Sequence, residues 1–362
     1  MARESAPVAL GRQGAAHRTR PREPGNERMN ARSPAETVIA TSTPADSGFQ
    51  QHALHREERV WLETNCYVDL WIELLHHYRC DPHAGLGFTV TQAFEGDQFT
   101  FPKFSLDDIA RLYGLQAQEL AIYDTVEAHV REQTRRGQMV VVEMDAYYLP
   151  DTRATAYRQT HTKTTIAIDA IDTEAKRITY FHNAGYFVLS GEDYDGVFRL
   201  MPGLASDVHA LFPYVEFVKR ARAPLEGEAL VQRSLELLAL RLADRPQVNP
   251  VEQWRAAFPE HLRALLERDP AYYHLYTFNV MRQLGSNFEL LAKYLGWLGR
   301  HGVEVPVEIQ TSAQSLASEA MVMQFRLARA RMRSRADACE DCFDSMQASY
   351  DKVIEPLAAR FL

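Results

Sequence analysis

The sequence predicts an α+β protein: helices enter first, an antiparallel sheet follows, and a long helical half closes the chain. Three observations predict it. Residues 65–79 (NCYVDLWIELLHHYR) are apolar over a broad helical face. Between residues 139 and 189 the texture changes to β-branched and alternating segments separated by turns. From about residue 226 the spacing of leucines and aromatics is helical to the end. Helices, then strands, then helices is not the βαβ alternation of a doubly wound sheet.

Taken in order, residues 1–50 are rich in Ala, Arg, Pro, Ser, Thr and Gly and show no sustained period. They are expected to be a disordered tail, with Met29 as an alternative start. Helix 65–79 takes Asn65 as its N-cap, which puts Cys66 in the first turn. Helices are also expected over 105–113, capped by Ser105, and over 122–136. Residues 139–149 (MVVVEMDAYYL) form a strand broken by Pro150, and 160–171 and 177–183 form two more around a turn at Asp172 and Thr173. Residues 185–189 continue the third strand or begin a fourth. The helical half holds segments 254–268, 272–300 (one helix, or two interrupted near Gly285), 312–335 and 338–361. The expected organisation is a tail over 1–50, a catalytic domain over 51–222 and a helical bundle domain over 223–362.

With 362 residues, 46% hydrophobic and 24% charged, the chain can bury a large core. No apolar run is long enough for a membrane helix or a secretory signal, so a cytoplasmic protein with no membrane partner is expected. Its four cysteines make no disulfide framework. Residues 1–36 carry seven Arg and four Glu, so against a total of −8 the remainder carries −11. An acidic body excludes general nucleic-acid binding.

Cys66 is the sharpest chemical feature. A thiol at a helix N-terminus meets unpaired N–H groups and the positive end of the helix dipole, and both favour the reactive thiolate. The bland alternative is a small buried apolar residue. His161, after a loop containing Pro150 and Arg153, is the matching base. Successive strand residues face opposite sides, so either Asn183 or His182, not both, can face His161. Asn183 is favoured because an amide oxygen fixes the imidazole tautomer. Glu143 and Asp145 share a strand face and could receive an amine. A cysteine opening a helix, a histidine on one strand and an Asn ending the next is the chain order of papain-type enzymes. The expected domain is therefore papain-like or C39-like, a helix packed on an antiparallel sheet.

The segment MVVVEMDAYYLPDTRATAYRQTHTKTTIAIDAID resembles the N-terminal domain of butirosin biosynthesis protein H and its relatives. Asp145, Tyr147, Tyr148, Leu149, Pro150 and His161 stand at that family's positions; Cys66 within TNCYVDLWIELLHHY and the Gly85-Leu86-Gly87-Phe88 turn are similar to it too. The resemblance covers roughly residues 60–200. The chain also looks like a proteobacterial family associated with amino acid:carrier-protein ligases. These resemblances imply a cysteine-dependent acyl or aminoacyl transferase. Cys66, His161 and Asn183 would be catalytic, and Asn65, Glu143, Asp145 and Tyr147 would contact substrate. The donor would be a phosphopantetheine-bound thioester on an acyl or aminoacyl carrier protein, with no other cofactor, and the acceptor a small-molecule amine. Two positions depart from the family: Asn183 stands where it usually has Asp, and Lys163 and Thr165 make the strand after His161 more polar. A peptidase or thioesterase, or a non-catalytic binding protein on the same fold, are the alternatives.

Other residue groups could also carry chemistry. His76, His77, Cys80 and His83 could ligate zinc, but histidines also complement a helix C-terminus, and no metal is expected. Cys339 and Cys342 form a CxxC without a second ligand pair. Arg282, Asn287 and Glu289 interrupt an apolar run and could serve substrate or a lid. Arg326, Arg329, Arg331, Arg333 and Arg335 form a basic stripe that could dock an acidic carrier protein. The helical domain also leaves room for a homodimer.

Overall fold

The structure is a computed structural model that describes residues 48–205 and 213–362. The expected tail and Met29 lie outside the described residues, apart from residues 48–50.

A short turn α1 (Ala53–Arg56) leads to α2 (Cys66–His77), whose N-cap is Asn65. A 3₁₀ segment, Pro82–Thr91, follows, then α3 (Leu106–Tyr113) capped by Ser105. The sheet elements are β1 (Leu115–Glu119), β2 (Met139–Asp145), β3 (Lys163–Asp172), β4 (Arg177–His182), β5 (Gly185–Ser190) and β6 (Val215–Arg220). Helix α4 (Val126–Arg135) sits between β1 and β2, while α5 (Glu192–Val197) and α6 (Pro202–Ala205) follow β5. The helical half holds α7 (Gly227–Ala243), α8 (Pro250–Glu267), α9 (Pro270–Tyr276), a π-helical turn Thr277–Met281, α10 (Arg282–Arg300), α11 (Val307–Met332) and α12 (Glu340–Phe361).

The six strands lie in the order β1-β6-β2-β3-β4-β5 and every pairing is antiparallel. The architecture is thus α+β, with an antiparallel sheet and a helical C-terminal region. Sequence reading missed β1 and β6. β1 is an edge strand (LQAQE) that buries only Leu115, so it has almost no apolar period. β6 alternates for only six residues.

Strand alternation divides the sheet between two cores. Met139, Val141, Ala167, Phe181 and Val218 face the core built with α2 and the helical half. Val140, Val142, Met144, Ile166, Ile168 and Tyr180 face the core covered by α4 and α5. The first core runs without a break from α2 into α7, α8 and α10–α12. The buried 3₁₀ segment is wedged against both α7 and α10.

The strand expected over 139–149 ends at Asp145, whose side chain accepts the Tyr147 N–H and starts a 3₁₀ turn. The strand expected from residue 160 begins at Lys163, which leaves His161 in the preceding loop. The interruption expected near Gly285 falls instead at the π-helical turn. Gly285 lies inside α10 because the Trp61 ring packs on it; a Cβ there would come within 2.3 Å of the indole nitrogen.

Candidate active site

Helix α2 is fully accounted for at its head except at one atom. Asn65 Oδ1 accepts from Tyr67 N–H (3.1 Å) and Val68 N–H (2.9 Å), and Asn65 O accepts from Asp69 N–H (3.0 Å). The Cys66 N–H has no partner among the described residues. Asn65 itself is anchored from two sides: its Nδ2 donates to Pro102 O (3.0 Å) and to Gln283 Oε1 on α10 (3.1 Å). The helical half therefore grips the start of α2 directly.

Cys66 is half-buried, whereas Cys80, Cys339 and Cys342 are buried. Its Sγ lies 4.0 Å from Thr165 Oγ1 on β3. Arg282, the first residue of α10, is within electrostatic reach of Cys66. Its Nη1 donates to Glu63 Oε2 (2.8 Å), its plane stacks on Phe278 at 3.5 Å, and its Nε–H is buried without a partner among the described residues. Burial presses the guanidinium below its usual range, against the pull of Glu63, Asp69 and Cys66. Two unpaired donors, one backbone and one guanidinium, thus accompany the half-buried thiol.

His161 is mostly exposed. Its Nδ1 lies 2.6 Å from Asp145 Oδ2, and its ring stacks on Tyr147 at 4.3 Å. Asp145 is therefore the group that orients His161. No hydrogen bond links His161 to Cys66 among the described residues. Thr165, which Cys66 touches, follows His161 by four residues of chain, about 13 Å if extended. Between them, Lys163 Nζ donates to Glu143 Oε1 at 2.5 Å. Asn183 opens the two-residue β4–β5 turn at φ +48°, a conformation that Asn tolerates, and makes no hydrogen bond to His161.

His182 faces the other side of the sheet and completes a relay that sequence reading missed. Its Nε2 lies 2.8 Å from Thr164 Oγ1, and its Nδ1 donates to Asp151 Oδ2. Tyr180 O–H donates to Asp151 Oδ1 at 2.5 Å. Burial would raise the Asp151 pKa, but the His182 charge and the hydrogen bonds from His182 and Tyr180 hold it below the carboxylate range. Thr164 and His182 are 8% and 3% exposed, so substrate has no approach to this hydroxyl as it stands.

A second missed residue is Glu216, buried on the Cys66 face of the sheet opposite Val141. Burial pushes its pKa up against a hydrogen bond from Tyr214 O–H (2.8 Å), and its Oε2 is unpaired among the described residues. Its signal was an isolated carboxylate in an apolar alternation.

Behind α2, His55 lies between two buried carboxylates, with Nδ1 2.5 Å from Glu73 and Nε2 3.3 Å from Asp69. Burial alone would lower its pKa, but those two partners raise it to about 9. For a metal, His52, Asp81 and His83 bring one ligand atom each within 4.8 Å of one another. These atoms already have partners: His52 Nδ1 accepts from Leu54 N–H (3.2 Å), and Asp81 takes His83 Nδ1–H (2.7 Å) and Trp297 Nε1–H (2.7 Å). Accepting at Nδ1 leaves the neutral His52 proton on Nε2, which opposes ligation there.

Residues 50–220 match the DUF1839 N-terminal domain and residues 227–359 match the DUF1839 C-terminal domain. A search of curated proteins returns no match. No helix among the described residues is long and apolar enough to cross a membrane. The chain belongs to the two-domain DUF1839 family.

Proposed function

We propose that this DUF1839 protein is a cysteine-dependent transferase that takes an acyl or aminoacyl group from a carrier-protein thioester onto Cys66 and passes it to an amine. One observation carries the reading: an accessible thiol heads a well-capped helix, with the unpaired N–H of Cys66 and the unpaired Nε–H of Arg282 in its vicinity. Such donors suit an oxyanion that forms as sulfur attacks a carbonyl.

In the first step Cys66 Sγ bonds to the thioester carbon, the oxyanion collapses, and the carrier thiol leaves with the proton. In the second an amine attacks the acyl-enzyme and loses a proton as the Cys66 thiol reforms. The base is the His161–Asp145 pair, in which Asp145 holds Nδ1–H and leaves Nε2 to accept. Tyr147 and Asp145 hold His161 in the loop before β3, and proton transfer requires that loop to bring Nε2 within hydrogen-bond reach of the sulfur. The carrier docks on α11. There Val322, Phe325, Arg329 and Met332 share one exposed helix face, next to exposed Arg333 and Arg335, and an acidic partner complements it.

The test is intact-mass spectrometry after exposure to an aminoacyl carrier protein, followed by peptide mapping. The added acyl mass should sit on the Cys66 peptide and be absent in Cys66→Ala. Acylation of Thr164, or none on any residue, rejects the reading. Release only to water when an amine is supplied makes the protein a thioesterase instead.

A further inference from the structure

The arginines of the basic stripe divide into two groups. Arg326 and Arg331 are structural. Arg326 grips Asp337 with two parallel bonds (Nε to Oδ2, 3.0 Å; Nη2 to Oδ1, 2.8 Å) and reaches Asp341 through Nη1 at 2.6 Å. Arg331 donates to the carbonyls of Leu265 and Arg268 at the end of α8. Arg329, Arg333 and Arg335 are exposed, and their side chains have no partner among the described residues.

A cavity of about 450 Å³ brings this second group together. One wall is α11, where Arg326, Arg329 and Arg333 recur at three and four residues and so share a face, with Ala330 beside them. The chain then turns back. Ser334 takes φ +48°, its N–H bonds to Arg331 O (3.1 Å), and Arg335 N–H bonds to Ala330 O (3.0 Å). This Schellman turn returns Arg335 and Ala336 to the same cavity, and Asp337, held by Arg326, fixes the far end of that wall. Cations at a helix C-terminus ordinarily complement its dipole and free carbonyls. Here that account stops short. The carbonyls of Arg329, Ala330 and Arg331 already accept the N–H groups of Arg333, Arg335 and Ser334, and Arg335 lies beyond the end of α11 at Met332.

The lining holds Arg326, Arg329, Arg333 and Arg335 against Asp337 alone, and Asp337 is matched by Arg326, so three positive charges are in excess, in a chain of net charge −8. Three guanidinium groups around one space repel one another unless an anion lies between them. Their forks match carboxylate and phosphate oxygens alike. Coming from a helix and from a returning loop, they converge from more than one plane, which suits a tetrahedral group better than a flat one. A diphosphate carries about three negative charges near neutral pH, equal to the excess, against about −1.5 to −2 for a single phosphate. The volume is that of a small-ligand site. We propose that this cavity is a binding site for a diphosphate group. The inference uses neither Cys66 nor a carrier protein. The three free arginines border the α11 face assigned to the carrier, so the two ligands would compete there, but binding of diphosphate can be measured without a carrier and stands or falls by itself.

The test is titration calorimetry on the full-length protein, in metal-free buffer of low salt, with inorganic diphosphate, inorganic phosphate, citrate and adenosine diphosphate. Diphosphate should bind about tenfold more tightly than phosphate, which has less charge, and than citrate, which places similar charge on flat carboxylates. Adenosine diphosphate binding as well as diphosphate assigns the site to diphosphate esters, and its exclusion assigns the site to the free ion. Arg333→Gln combined with Arg335→Gln should lower diphosphate affinity about 100-fold. It should not lower the ligand-free Tm, because neither side chain has a partner to lose. Arg333→Lys, which keeps the charge and loses the fork, should cost about tenfold. Phosphate or citrate binding as tightly as diphosphate, no binding of any of the anions, or undiminished diphosphate affinity in the double variant overturns the assignment.

Discussion

Thr164 and Thr165 are neighbours on β3 that point to opposite faces, and each meets a different kind of chemistry. Thr164 belongs to a closed relay of hydroxyl, imidazole and carboxylate that is sealed from solvent. Thr165 touches an accessible thiol whose expected base is still held at a distance. Good hydrogen-bond geometry and access to substrate have separated onto the two sides of one strand. A complete relay in a dry interior is what a buried polar group needs for its own satisfaction. An unpaired donor set beside a half-buried thiol has no such structural purpose, and it marks the side where chemistry is expected.

The largest expected effect breaks or upholds that contrast. Cys66→Ala should reduce acyl transfer by about 10³-fold or more, while Thr164→Val should leave it within about tenfold, both read as turnover with an aminoacyl carrier protein. The reverse ranking would move the active centre to the buried face. The second effect is on stability: Asp151→Leu leaves the buried His182 Nδ1–H and Tyr180 O–H without their acceptor and should cost about 2–4 kcal/mol in chemical denaturation. A cost below about 1 kcal/mol would mean that the relay is not what holds that face together.

The Cys66 side has its own buried charge cluster, and pH tests it. His55 titrates at about 9 in the fold against 6.5 in the unfolded chain. A raised pKa means that the folded state binds the proton more tightly. The contribution is full below pH 6.5, fades between 6.5 and 9, and is lost above about 9. At 1.36 kcal/mol per pH unit it amounts to about 3 kcal/mol. His55→Gln should flatten this alkaline decline in a stability-versus-pH series, and an unchanged decline would remove His55 as its source. The smallest effect concerns the cap. Asn65→Ala should cost about 1 kcal/mol and slow alkylation of Cys66 by iodoacetamide, since Asn65 ties α2 to both Pro102 and α10. An unchanged alkylation rate would separate the cap from the reactivity of the thiol.

Local chemistry made much of this legible in the chain. Asn65 before a broad apolar run announces a capped helix, because an Asx oxygen satisfies the first free N–H groups wherever it stands. Ser105 does the same for α3, and the β-branched run at Val140, Val141 and Val142 announces β2. Two-sided burial, edge position and partner choice depend on residues far apart in sequence. For that reason β1 and β6 escaped, as did Glu216 on β6, and His161 found Asp145, sixteen residues earlier, rather than Asn183. The pairing of Thr164 with His182 and Asp151 and the reach of Arg282 toward Cys66 are set by β3–β4 register and by the docking of α10. Caps and periodicity are decided over a few residues by the backbone's own hydrogen bonds, and a sequence displays them. Which side chains are left facing one another, and which are left without a partner, is decided only when separate elements pack.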